Sequence, residues 1–355
     1  MPGPISVGSY REDDVSILLT DLSSTRHGAL NGRYEHSSRA VPAHLFPLPE
    51  YQPTASYLAT IPALIASSAD RVALLCAALA ELILGRHGPE LVIVSIARAG
   101  TPVGVLLKRW IRYCHGQVVP HYSVSVANGA GLDVNAVSWL CRRHNPDSLQ
   151  FVDAWTSKGT ISNILKSAVS ELHIPGLDPS LAVLADIASC TDLFATREDV
   201  LIPHACLGAT MSGLLSRPFV NPQLKSGDGF HAVISYSEWA KNDLSNIYIE
   251  MISSRYPKIL EQVPLVVQDV LHCPQPDKRG MREAFNIARR YGAVDFDLVN
   301  IGTSESTRAF LRRTPRLLLV DPYAGEQIMH LLQLAHERNV PVRQEPGMPF
   351  RAALL

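Results

Sequence analysis

The feature that most constrains this chain is a fourfold alternation of helical segments and short apolar runs between Ser67 and Ala188. ELVIVSI, VVPHYSVSV, SLQFVDAW and LAVLADIA are brief, rich in β-branched residues and poor in charge. Runs of that kind read as strands covered on both faces. The segments between them carry helix signals. A helix is expected from Ser67 or Ser68 to Leu84, and TPVGVLLKRWIRY has Pro102 in its first turn. DVNAVSWLCRRH is capped by Asp133, and TISNILKSAVSELH follows the third run. Short links between such elements build an α/β fold around a mostly parallel sheet, whose ligands gather at the carboxyl ends of strands. Two loops lie at such ends, ARAG and AWTSKG.

At 355 residues the chain exceeds what one core usually organises. Residues 1–272 read as the sheet domain, with a hood-like segment over about 1–60 and a mixed subdomain over about 195–260 that contains the turns SRPFVNPQ and KSGDGFH. A break at CPQPDKRG precedes a small α/β unit over 281–355, with FDLVNIG and PRLLLVD as strands and STRAFLRR and AGEQIMHLLQLAHERN as helices. Apolar content of 46% and a formal net charge of −1 give no whole-molecule attraction to nucleic acid or anionic membranes. The longest apolar stretch, VALLCAALAELILG, is too short to span a bilayer and contains Glu81. Six scattered cysteines without a CxxC pair read as reduced thiols, so a cytoplasmic protein without a metal cluster or membrane partner is expected.

In QFVDAWTSKGT, Asp153 ends the strand, and backbone N–H groups at the start of the following helix can point at one anion. Thr156, Ser157 and Thr160 add hydroxyls, Gly159 allows close approach, and Lys158 adds charge. GxxxxGK[ST] is absent, which argues against a nucleoside triphosphatase. An acid just before such a loop suits sugar hydroxyls, so the loop reads either as a sugar-phosphate cradle or as a plain helix cap. Arg98 with the amides of Ala99, Gly100 and Thr101 could hold a second anion.

These stretches resemble a known family. VSIARAGTP stands in place of the pyrophosphate loop of the type I phosphoribosyltransferases, and FVDAWTSKGT in place of their phosphoribosyl-pyrophosphate motif. More narrowly, GSYREDDVSILL, HYSVSVANGAGLD, VLIPHACLGATMSGLLSR and FHAVISYSEWAKNDLS resemble phosphoribosyltransferase-like proteins of bacterial tellurium-resistance and stress operons, sometimes labelled StiP cysteine proteases. IGTSESTRAFLRRTPRLLLV and VPVRQEPGMPFRAALL are similar to the Pelota-type RNA-binding domain, of L7Ae-like character, that these proteins append.

The resemblance implies a type I phosphoribosyltransferase fold and an enzyme that joins phosphoribosyl pyrophosphate, or a related ribose phosphate or nucleotide, to a nucleobase-like acceptor. Asp153 and Arg98 would be its catalytic residues, with Mg²⁺ bridging the substrate's own oxygens. His121, Tyr122 and Ser123 would meet the acceptor. A homodimer is a further expectation. RNA is the partner implied for the tail, through Arg308, Arg312 and Arg313, the first two at i, i+4. The tail from Met281 has ten Arg and no Lys against eight acids, so it is only faintly basic.

Two departures matter. Ala154 replaces the second acid of the motif, and Asn128, Gly129 and Ala130 are neutral where the related proteins carry charge. They keep a non-catalytic nucleotide- or RNA-binding protein open as the alternative. A cysteine protease is a third reading, with Cys206 beside His204. Trp110, Trp139 and Trp239 read as packing residues, and His115 and His144 as helix C-terminal caps.

Overall fold

The computed structural model describes residues 7–23, 51–127, 129–220 and 229–355. Residues 24–50 of the hood-like segment, Asn128, and Lys225 to Asp228 of the KSGDGFH turn lie outside them. The chain opens with β1 (Ser16–Ile17), β2 (Thr20–Asp21) and α1 (Ala55–His87). The alternating block follows as β3 (Val92–Ala97), α2 (Gly100–His115), β4 (His121–Ala127), β5 (Gly131–Leu132), α3 (Val134–Cys141), β6 (Leu149–Thr156), α4 (Thr160–Leu172) and β7 (Leu181–Asp186). β8 (Leu193–Thr196), β9 (Ala232–Val233), α5 (Ser245–Ser253), α6 (Tyr256–Ile259) and α7 (Val263–Leu271) complete this part.

The main sheet has the order β1-β4-β3-β6-β7-β8 and is parallel throughout that path, with β5 antiparallel on β4. The α/β sheet read from the sequence is therefore present. Alternate side chains of each strand feed two cores. Ile93, Val152 and Ala154 join α1 and α2 on one face, whereas Val92, Val94 and Phe151 join α3 and α4 on the other. Asp133 Oδ1 accepts from the Ala136 N–H at 3.0 Å and starts α3 as expected.

α1 begins at Ala55 rather than at Ser67 or Ser68. Thr54 Oγ1 accepts from the Tyr57 N–H at 3.1 Å, and Tyr57, Ile61, Ile65 and Ala69 form a buried stripe at four-residue spacing that carries the helix through Pro62. The helix is thus long and apolar enough to cross a membrane by length and composition, although most of that stretch is buried inside the protein. At its far side α2 packs closely on β4. A Cβ on Gly104 would come within 2.2 Å of His121 Nε2, so only glycine lets the helix approach that ring.

The C-terminal residues form α8 (Arg279–Arg290), β10 (Asn300–Ile301), α9 (Thr303–Phe310), β11 (Leu318–Val320), α10 (Met329–Glu337), β12 (Val342–Gln344) and β13 (Ala352–Leu354). Their four strands make a separate sheet, β10-β13-β11-β12. FDLVNIG is strand only at Asn300–Ile301, because Asp295 accepts from the Asp297 N–H at 2.8 Å and winds Phe296–Leu298 into a 3₁₀ turn.

This unit packs directly on the first. Buried Asp199 accepts from the Thr303 N–H at 2.8 Å, the Thr303 hydroxyl at 3.1 Å and the Arg351 N–H at 2.7 Å. A Cβ on Gly280 would lie 2.1 Å from the Ile187 carbonyl oxygen, which marks how tightly α8 meets the end of β7.

Candidate functional site

The carboxyl edge of the sheet brings both predicted loops together, yet much of their polarity is already engaged. Buried Arg98 donates to the Leu215 carbonyl. The Thr101 N–H returns to the Arg98 carbonyl at 3.3 Å, and the Thr101 hydroxyl bonds Ser123 Oγ at 2.7 Å. Gly100 is there for packing, since a Cβ on it would lie 2.6 Å from the Val152 carbonyl oxygen. The first loop therefore closes α2 onto β6, and only Ala97 and Ala99 of ARAG are half-buried.

The second loop is more open. Gly159 takes φ 74°, its N–H donates to Thr156 Oγ1 at 3.1 Å, and Thr156 Oγ1 is 3.5 Å from Cys190 Sγ. Ser157 is half-buried and Thr160 exposed at the start of α4. Lys158 is spent on the tail, where it donates to the carbonyls of Phe296 and Asp297 at 2.9 and 3.2 Å and sits 4.8 Å over the Phe296 ring.

Asp153 is 7% exposed, accepts from the Ala154 N–H at 2.8 Å, and is pushed up to about 7 by burial. Arg308 and Arg312 act on it electrostatically, and Arg98 acts on Arg308. One carboxyl among arginines suits an anion and does not fit a protein-held Mg²⁺, which wants several oxygen donors.

Other expected residues lie elsewhere in function. His121 is locked in the core, with Nε2 2.8 Å from Ser95 Oγ and Nδ1 2.9 Å from the Asp14 carbonyl, and burial lowers it to about 3. Ser123 is buried against Thr101, and the Tyr122 hydroxyl is 3.0 Å from His144 Nε2. An acceptor would find no free group there among the described residues. Of the expected RNA residues, Arg308 is buried at 5% exposure. α9 stops at Phe310, so Arg312 and Arg313 follow the helix instead of sharing its face. Arg313 donates to the Leu298 carbonyl and to Asn300 Oδ1.

The cysteines sort by exposure. Cys206 and His204 are both 0% exposed. His204 Nδ1 is 3.5 Å from the Tyr248 hydroxyl, and burial drives the Cys206 thiol up to about 12. A cavity of about 320 Å³ begins one residue further on, at Leu207 and Gly208, but neither Cys206 nor His204 lines it.

A third arrangement was missed in the sequence. At the far end of α2, Glu81, exposed Cys114 and exposed His115 bring their ligand atoms within 4.8 Å of one another. His115 Nε2 is 2.8 Å from Glu81 Oε1, which also accepts from Trp110 Nε1–H at 2.7 Å. Sulfur, imidazole and carboxylate together could also take a borderline-soft ion such as Zn²⁺. The Cys–His dipeptide was visible in the sequence, but its acid sits on a different helix, and only the packing of α1 against α2 joins them.

The chain is similar to several known proteins. Two solved structures are distant likenesses: a hypothetical protein from Neisseria gonorrhoeae with bound ppGpp (19% identity, 33% of this chain and 68% of that one, TM-score 0.24), and hypoxanthine phosphoribosyltransferase from Trypanosoma cruzi in complex with IMP (14% identity, 56% and 96%, TM-score 0.25). Neither likeness, at those scores, bears on the ligand. The cysteine protease StiP of Acinetobacter baylyi is 30% identical over 366 residues, 98% of this chain and 93% of that one. Residues 278–355 match the PELOTA RNA binding domain. Residues 8–253 match the family described as tellurite-like stress resistance cysteine protease StiP. The last match and the Acinetobacter relative overturn the expectation of a phosphoribosyltransferase acting on phosphoribosyl pyrophosphate and a base. The chain belongs to the StiP family of cysteine proteases and carries a Pelota-type domain at its C-terminus.

Proposed function

We propose that this chain hydrolyses peptide bonds with Cys114 as nucleophile, His115 as general base and Glu81 as the group that orients it. The convergence of an exposed thiol, an imidazole and a carboxylate at the end of α2 carries the reading. Because His115 Nε2 bonds Glu81, its Nδ1 is left to take the thiol proton. Trp110 Nε1–H donates to the same Glu81 oxygen and helps hold the carboxylate in place.

Burial and the Glu81 charge raise the Cys114 thiol above its ordinary value. The negative end of α2 opposes a thiolate as well. The proton is therefore removed as the sulfur attacks the peptide carbonyl, not beforehand. The C–N bond then breaks, His115 returns the proton to the leaving amine, and water cleaves the thioester with His115 again as base. Cys206 is sealed in the core, and Cys190 is driven up to about 12 by burial and by Asp186.

Full-length protein assayed on a denatured protein substrate should lose turnover in Cys114→Ala and keep it in Cys206→Ser and Cys190→Ser. Full activity in folded Cys114→Ala would sink the assignment. RNA binding by the tail rests on the match over 278–355. Its contact surface would be the exposed Arg282, Arg289 and Arg290 of α8 together with exposed Arg312, because Arg308 is inside. Filter binding of a structured RNA to the charge-reversed α8 variant checks this.

A further inference from the structure

Arg308 enters the first unit from the tail and has no ordinary partner there. It is 5% exposed, its Nη1 makes no hydrogen bond, and no carboxylate lies within ion-pair distance among the described residues. Its guanidinium carbon lies 5.7 Å from the centre of the Trp155 ring, and His204 packs 5.8 Å from the same ring at 33°.

Glu305, the nearest acid on α9, is already engaged. Its Oε2 accepts from Trp155 Nε1–H at 2.8 Å and its Oε1 from Asn300 Nδ2 at 3.3 Å. Asp153 gives one oxygen to the Ala154 N–H. The seam therefore holds the charge of Arg308, with Arg98 and Arg312 adding to the positive potential, against carboxylates committed elsewhere. A buried guanidinium in that state is costly unless something pairs with it, and buried polar atoms without partners call for a partner from outside. Asp153 and Arg308 each keep a sliver of surface, 7% and 5%, so solvent reaches the seam.

We infer that this seam, between the sheet's carboxyl edge and α9, binds a phosphate group through the guanidinium fork of Arg308. A dianionic oxyanion suits a planar fork of N–H donors set among further arginines better than a single carboxylate does. The site needs both units, since Arg308 comes from the tail and Trp155 and His204 from the sheet domain. It is independent of the thiol corner at the other end of α2.

The test titrates full-length protein with inorganic phosphate and, separately, with a nucleoside monophosphate, reading heat and tryptophan fluorescence; acetate is the carboxylate control. Saturable phosphate binding should weaken at least about tenfold in Arg308→Gln and remain in Arg313→Gln. Tighter binding of the nucleotide would identify a phosphomonoester as the occupant, and equal binding would identify the free ion; both support the seam. Should Arg308→Gln fail to fold, Arg308→Lys keeps the charge but loses the fork, and several-fold weaker binding is expected. Unchanged affinity in either folded variant, acetate binding as tightly as phosphate, or no binding to the wild type overturns the inference.

Discussion

The two ends of α2 face opposite fates. At its start, Gly100 and Thr101 are buried against β6 and β4, beneath a seam closed by the tail. About 21 Å away by helix rise, Cys114 and His115 stand exposed. A small ligand can use a nearly closed seam, whereas a polypeptide substrate needs an open corner. The contrast assigns small anions to one end and covalent chemistry to the other. Its sharpest break is Cys114→Ala. Loss of the nucleophile should lower turnover by more than about 10³-fold while leaving the thermal midpoint in place, because the side chain is exposed. If Arg308→Gln removed peptidase activity to the same degree, the two ends would be one site.

Burial at the seam has its own signature in pH. Burial raises Asp153 to about 7 in the folded protein, above its unfolded value near 3.9. The folded state therefore binds the proton more tightly. Its contribution to stability is fully present below about pH 4 and is lost as pH rises through about 7. Asp153→Asn keeps a neutral side chain at every pH. Relative to wild type, the variant should gain stability between pH 4.5 and 8, by at most about 4 kcal/mol. Urea unfolding at both pH values measures the difference. A constant difference would mean that burial does not raise Asp153.

The main sheet was legible because parallel strands buried on both faces must be apolar runs, as ELVIVSI and LAVLADIA are. Asp133 and the Thr160 helix start were legible for the same local reason. What escaped was everything decided by contacts distant in sequence. Lys158 looked like a phosphate ligand but is spent on carbonyls of Phe296 and Asp297. Arg308 looked like a surface residue because its helix seemed free, while Thr303 and Ser304 bind Asp199 and Ile202 and turn that helix inward. Glu81 sits on a different helix from His115, so their meeting, made only by the packing of α1 against α2, could not be seen.

Between the two ends, Gly104 sets how closely α2 lies on the sheet. His121 cannot move aside, since Ser95 and the Asp14 carbonyl hold both ring nitrogens. Gly104→Ala introduces a clash of about 3 kcal/mol. Better helix propensity returns about 1 kcal/mol, so a net loss of about 2 kcal/mol is expected from denaturant midpoints. Neutrality would show that α2 can slide, and with it both of its ends.

The gentlest probe concerns the seam alone. Trp155→Phe keeps the aromatic surface between His204 and Arg308 but deletes the Nε1–H that reaches Glu305 at 2.8 Å. Losing one partner of a half-buried, charge-assisted bond should cost about 1 kcal/mol. Glu305 Oε2 is also freed, and Arg308 is a cation on which it already acts. An internal carboxylate pairing with Arg308 would compete with an incoming phosphate. Stability should therefore fall slightly while phosphate affinity falls further, and calorimetry on the variant separates the two. A drop in stability with phosphate affinity intact would leave Trp155 as a structural tie between the units and place the anion beyond the reach of Glu305.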